Sequence, residues 1–239
     1  MGQACVIFDF DGVIANTEHL HLMAYNQALE ARCQAVGKLI QITPDLYFSR
    51  YVVFGNLEAF RQMLFDHGID PTPSLLEQLC RLKDEILDGR IGESPSPLPG
   101  VTEMVQHLAA RKVPCGICSG ARRREIDTLL GTFALDGYFP VIVSIEDVAC
   151  GKPHPQGYLL TFDRLNVLQD GNLDKARSLV IEDTQGGAAA AHGADLRVLG
   201  VATTSRMESV RKWADFPFEH LAEVPLFQLD QWLGLSAPQ

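Results

Sequence analysis

Four groups of residues in this 239-residue chain have types and spacings suited to chemistry. The first is Asp9-Phe10-Asp11-Gly12, directly after the apolar run Cys5-Val6-Ile7-Phe8. Such a run suits a strand buried on both faces, and strand alternation puts Asp9 and Asp11 on one side if the extension persists. Gly12 then lets the backbone turn away. Two carboxylates at the end of a buried strand are costly unless a cation or a set of donors offsets them. In an open α/β sheet that end is also where ligands bind. The second group repeats the arrangement: Leu179-Val180-Ile181 ends in Glu182-Asp183 and leads into Thr184-Gln185-Gly186-Gly187. Mg²⁺ takes oxygen ligands in near-octahedral geometry, and Asp9 with Asp183 would supply two of them. An acid that merely caps a helix explains one carboxylate, but not Glu182 beside Asp183 as a counterpart to Asp9 and Asp11.

The third group, Ser119-Gly120-Ala121-Arg122, ends the apolar run 113–118 and opens a helical pattern. A hydroxyl followed by glycine at a helix N-terminus offers donors and a favourable dipole to an anion; simple capping would account for Ser119 equally well. The fourth is Gly151-Lys152-Pro153-His154-Pro155, where two prolines and a glycine immobilise the chain around one lysine.

The elements that must hold these groups follow from periodicity. Apolar spacing predicts helices over 19–33, 56–67 and 73–87, a short helix or turn near 43–45, and a linker over 92–100, which contains three prolines and two glycines. Beyond it the pattern alternates. Strands are expected over 113–118, 141–145, 178–181 and 198–201, with helices over 101–111, 122–130, 156–165 and 185–192. That βα alternation implies a parallel sheet with helices on both faces. The first strand has no candidate partner within 20–90, so it must pair with strands beyond residue 101. An all-helical block is therefore inserted into a sheet domain.

A net charge of −10 argues against a nucleic-acid or anionic-membrane partner, and an anionic substrate would need local compensation from a metal, Lys or Arg. No apolar run reaches the roughly 20 residues of a membrane span. The chain runs straight into its first strand, and its six cysteines are scattered, which points to the cytoplasm. Cys115-Gly116-Ile117-Cys118 has C-x-x-C spacing, but positions three apart on a strand face opposite sides, so packed thiols are expected there.

The segment from Asp9 to Ile14 resembles the first motif of the haloacid dehalogenase superfamily, the aspartate-nucleophile phosphotransferases. Ser119, Lys152 in its Gly-Lys-Pro frame, and the Glu182-Asp183 pair resemble the second, third and fourth motifs, in order, from Asp9 to Gly187. The resemblance implies a Rossmann-like core over 1–15 and 96–239 and a helical cap over 16–95. It implies Asp9 as nucleophile and Asp11 as general acid and base, with Ser119, the Gly120 amide and Lys152 on the phosphoryl oxygens. It also implies Mg²⁺ on Asp9, Asp11 (through its main-chain carbonyl), Glu182 and Asp183. Arg122 and His21 match substrate-side residues of the β-phosphoglucomutase-like branch. The cap arginine of that branch falls in a segment resembling 53–60, where this chain has Leu57 with Glu58 beside it, which favours hydrolysis over phosphate relocation. Asp11 argues against the dehalogenase branch, and the inserted block argues against a phospho-receiver module. The expected partner is a small phosphorylated metabolite. The cap tyrosines 25, 47 and 51, with Arg50, Asn56 and Arg61, are open either to substrate contact or to being ordinary surface.

Overall fold

The computed structural model describes residues 2–33, 37, 39–52, 54–93 and 96–236. Val53, which opens the segment compared with the mutase arginine, and Ser94 and Pro95 of the expected linker lie outside the described residues. The chain divides into two compact units, Met1–Asn16 with Ser94–Gln239, and Thr17–Glu93.

The first unit is built on a six-stranded, wholly parallel sheet: β1 (Val6–Phe8), β2 (Cys115–Cys118), β3 (Val141–Val143), β4 (Leu179–Glu182), β5 (Arg197–Val201) and β6 (Phe216–Phe218), in the order β3-β2-β1-β4-β5-β6. β1 lies between β2 and β4, with Phe8 level with Ile117 on one side and Ile181 on the other. The two carboxylate-bearing strands are therefore nearest neighbours, and all three central strands end at one edge. The last strand, β6, was not expected. Its sequence Phe-Pro-Phe carries a proline, which excludes it from a central strand; as an edge strand it is tolerated. Helices cover both faces of the sheet. One face packs Tyr158, Phe162 and Leu165 together with Ala188, Ala190 and Ala191 onto Ile7, Val180 and Val198. The close approach explains Gly116: a Cβ there would sit 3.0 Å from the Thr161 methyl. Each fully buried aliphatic or aromatic side chain in this layer contributes roughly 1.5–3 kcal/mol.

The second unit is all-helical: α1 (Glu18–Cys33), α2 (Pro44–Leu46) running into a π-helical turn (Tyr47–Tyr51), α3 (Asn56–Asp66) and α4 (Pro73–Asp88). α4 starts where Pro73 occupies the first turn and the Thr72 hydroxyl accepts the Leu75 amide. Tyr25, Leu29, Phe60, Met63, Leu64, Leu76 and Leu79 form its core. Ile42, just ahead of α2, is held by Asn26, whose side-chain amide donates to the Ile42 carbonyl (2.9 Å) and accepts from the Ile42 amide (2.7 Å). In the first unit, the described end of the 92–100 stretch is paired too, with Pro97 bridged to Ala15 and the Leu98 amide donating to Ile14.

The remaining helices, all in the first unit, are α5 (Val101–Ala110), α6 (Arg123–Thr132), α7 (Gln156–Leu168), α8 (Gln185–Gly193), α9 (Met207–Trp213) and α10 (Leu226–Trp232). None of the described helices is long and apolar enough to cross a membrane.

Candidate active site

Asp9 leaves the end of β1 with its amide still bonded to the Ile181 carbonyl of β4 (2.9 Å). The chain then coils: the Phe10 carbonyl accepts the amides of Ile14 (2.8 Å) and Ala15 (3.0 Å), and Gly12 takes φ +77°. The strand extension that would put Asp11 strictly beside Asp9 does not persist, because this turn begins at Phe10. Only glycine fits at position 12. The positive φ is one reason, and a Cβ there would lie 1.9 Å from Asp183 Oδ2. The Thr203 hydroxyl, on the loop after β5, donates to the Gly12 carbonyl and pins the turn from the other side.

Asp9, Glu182 and Asp183 are all buried, and each can offer an oxygen within 4.8 Å of the others. Lys152 bridges two of the three: its Nζ lies 2.6 Å from Asp9 Oδ1 and 2.6 Å from Glu182 Oε1. Burial pushes the Asp9 carboxyl up to about 8, against the pull of Lys152. Burial also works against the Lys152 charge, but Asp9 and Glu182 outweigh it and hold the ammonium well above the usual lysine range. Lys152 is therefore charged, and the cluster is short of positive charge. Three clustered carboxylates form an all-oxygen donor set that fits a divalent hard cation.

Glu182 differs from its neighbours in how fully it is engaged. Oε1 accepts from Lys152 and from the Tyr158 hydroxyl (2.6 Å), while Oε2 accepts from the Asp183 amide (3.1 Å), the Thr184 amide (3.2 Å) and the Thr184 hydroxyl (3.1 Å). A Cβ on Gly187 would strike its carboxylate at 1.8 Å, so this glycine in the first turn of α8 makes room for it.

Ser119 is buried at the end of β2, its amide bonded to Val143 and its hydroxyl accepting the Ala121 amide (2.9 Å). Gly120 is exposed beside it. Arg122 precedes α6 and its guanidinium is paired with buried Glu125 at 2.7 Å. His21 belongs to the helical unit, where its Nδ1 lies 3.0 Å from the Nζ of Lys83. Tyr25, Tyr47 and Tyr51 are not ordinary surface, because all three are buried in the core of that unit. Burial pushes the thiols of Cys115 and Cys118 up, Cys118 to about 11, as befits packed and unreactive groups.

Sequence reasoning missed Tyr158, Thr184 and Thr203. Thr184 had a readable signal, a hydroxyl directly before a small-residue helix, and it caps α8 by accepting the Gly187 amide (3.1 Å). Tyr158 and Thr203 reach the site only through tertiary packing.

The family model described as haloacid dehalogenase-like hydrolase matches residues 6–201. The phosphorylated carbohydrates phosphatase of Thermotoga maritima is 30% identical over 207 residues, covering 82% of this chain and 84% of the relative. Protein CbbY of Rhodobacter capsulatus is 29% identical, over 83% of this chain and 85% of its own length. Among solved structures, CbbY from Rhodobacter sphaeroides in complex with phosphate superposes with a TM-score of 0.80 at 25% identity, covering 96% of this chain and all of the other. The chain belongs to the haloacid dehalogenase-like hydrolases.

Proposed function

We propose that this haloacid dehalogenase-like hydrolase is a phosphatase that cleaves small phosphorylated metabolites, sugar phosphates among them, with Asp9 as its nucleophile. The observation that carries the reading is the Asp9 carboxylate at the end of β1, bonded to Lys152 and set beside buried Glu182 and Asp183. The relative that acts on phosphorylated carbohydrates supports the substrate class.

In this reading an Asp9 oxygen attacks phosphorus as the bond to the leaving oxygen breaks, and Asp11 gives that oxygen a proton. Asp11 then takes a proton from the water that attacks the aspartyl-phosphate, which frees phosphate and restores Asp9. Lys152, the Ser119 hydroxyl and the Gly120 amide stabilise the phosphoryl oxygens throughout. Mg²⁺ would be held by Asp9, Asp183 and the Asp11 carbonyl, with help from Glu182, and when bound it would supply the positive charge the cluster lacks. His21 and Arg122 are assigned to the substrate side. Exposed Leu57, in place of a phosphate-gripping arginine, favours hydrolysis over phosphate relocation. A cytoplasmic setting suits the six unpaired thiols.

The test is release of inorganic phosphate from p-nitrophenyl phosphate and from a panel of phosphorylated metabolites, with Mg²⁺ and after exhaustive chelation. Turnover that requires the metal is expected. Absence of turnover on every ester with Mg²⁺ present would sink the assignment.

A further inference from the structure

Lys152 is bonded at equal distance to two carboxylates, Asp9 and Glu182, at 2.6 Å each. Only one of them is the nucleophile. Something must keep the ammonium from collapsing onto the other, and the packing around Glu182 supplies it. We infer that Tyr158 is a positioning residue for the phosphatase reaction, hydrogen-bonding Glu182 so that Lys152 stays directed at Asp9.

Tyr158 is wholly buried in the first turn of α7, six residues beyond Lys152. Its hydroxyl donates to Glu182 Oε1, the same oxygen that holds Lys152, at 2.6 Å. Its ring lies under the ammonium, with Nζ 4.9 Å from the centroid. The side chain therefore acts on Lys152 twice. The ring face attracts the cation from one side, and the hydroxyl drains charge from the competing carboxylate. A phenol hydroxyl can donate to a carboxylate oxygen, which can only accept, and the 2.6 Å distance fits that bond. With four neutral donors and one cation on Glu182, no single bond carries the whole negative charge. Removing the tyrosine hydroxyl concentrates that charge on the Lys152 bond and draws the ammonium off Asp9 and the phosphoryl group.

This inference rests on the phosphatase reading, and turnover of p-nitrophenyl phosphate by the wild-type protein checks that reading separately. Tyr158→Phe keeps the ring and removes only the hydroxyl. We expect kcat to fall roughly tenfold, the scale of one hydrogen bond to a charged group, with KM and Tm near wild type. Orthovanadate, which takes the place of the phosphoryl group, should inhibit roughly tenfold less well. In a Glu182→Gln background the same change should cause little further loss, because Tyr158 acts through that carboxylate. If Tyr158→Phe proves unstable, 3-fluorotyrosine at position 158 replaces it: a stronger donor on the same ring should keep kcat at or above wild type. Wild-type kcat and vanadate inhibition in Tyr158→Phe, fully additive losses with Glu182→Gln, or a fall in kcat with 3-fluorotyrosine would each overturn the inference.

Discussion

The buried tyrosines of the helical unit and the buried carboxylates at the sheet edge of the α/β unit are satisfied in opposite ways. In the helical unit each buried tyrosine has its own acceptor: Tyr25 donates to Asn56 (2.8 Å), Tyr47 to Glu18 (2.7 Å) and Tyr51 to Asp66 (2.7 Å). In the α/β unit three buried carboxylates cluster, and the Lys152 ammonium bridges two of them, Asp9 and Glu182. A locally matched pair contributes to the fold and asks for nothing more. A buried cluster with surplus negative charge costs stability by itself, and proteins keep such clusters where a ligand or a reaction makes use of them. The same side-chain types thus have different meanings, decided by whether the charge balances.

The largest test of that contrast is to remove the unbalanced charge at its centre. Asp9→Asn should lower turnover about a thousandfold or more, because the amide cannot act as nucleophile. The mutant should nevertheless fold, since the amide can still accept from Lys152. Substantial activity in Asp9→Asn would mean that the cluster works in another way.

A second test reads the imbalance through pH. The Asp9 carboxyl is raised by burial from 3.8 to about 8. A raised pKa means that the folded protein holds this proton more tightly than the unfolded chain does. Its contribution to stability is therefore complete below pH about 4 and is lost as pH rises through about 8. Without metal, the difference in Tm between Asp9→Asn and wild type should grow in favour of the mutant across that window. Mg²⁺ should erase the wild-type deficit and release a proton on binding at pH 7, seen by calorimetry in buffers of different ionisation enthalpy. A Tm difference independent of pH, with no proton release, would show that Asp9 is already balanced.

How much of this was legible in the sequence follows the same division. Asp9 and Glu182 were readable because each sits at or just past the end of an apolar strand, and Lys152 because Gly151 and Pro153 frame it; the register of β1 with β4 then brings the acids together. The six-stranded order was legible only in part. β6 hides behind its proline, and the placing of Ile42 ahead of α2 depends on Asn26 bonds that no local pattern announces. Tyr158 was invisible for a related reason. Its spacing from Lys152 has meaning only once α7 has packed across the sheet.

A smaller effect sharpens the other side of the contrast. Tyr51→Phe in the helical unit removes a hydroxyl bonded to Asp66, a carboxylate also paired with exposed Arg50. Stability should fall by about 1 kcal/mol, the net worth of one such bond near solvent. Turnover on p-nitrophenyl phosphate should not change. Chemical denaturation with parallel kinetics would decide this, and a selective loss of kcat with no loss of stability would make Tyr51 part of the site.

The smallest expected effect lies at the edge of the charged cluster, where the two arrangements meet. Thr203 donates its hydroxyl to the carbonyl of Gly12, one peptide beyond the Asp11 carbonyl assigned to the metal. The bond is a local, matched pair like those of the helical unit, yet it holds a turn whose glycine is packed against Asp183. Thr203→Val preserves shape and β-branching and leaves the Gly12 carbonyl without this donor. Thr203 is exposed, so water can replace the lost bond, and the cost is at the low end for a hydrogen bond. That corresponds to a two- to threefold weaker Mg²⁺ affinity by calorimetry, with Tm nearly unchanged and Thr203→Ser restoring the wild-type value. If Thr203→Val binds Mg²⁺ as tightly as wild type, the turn is held by its own Phe10 bonds. If Tm falls while affinity stays constant, Thr203 belongs with the purely structural pairs.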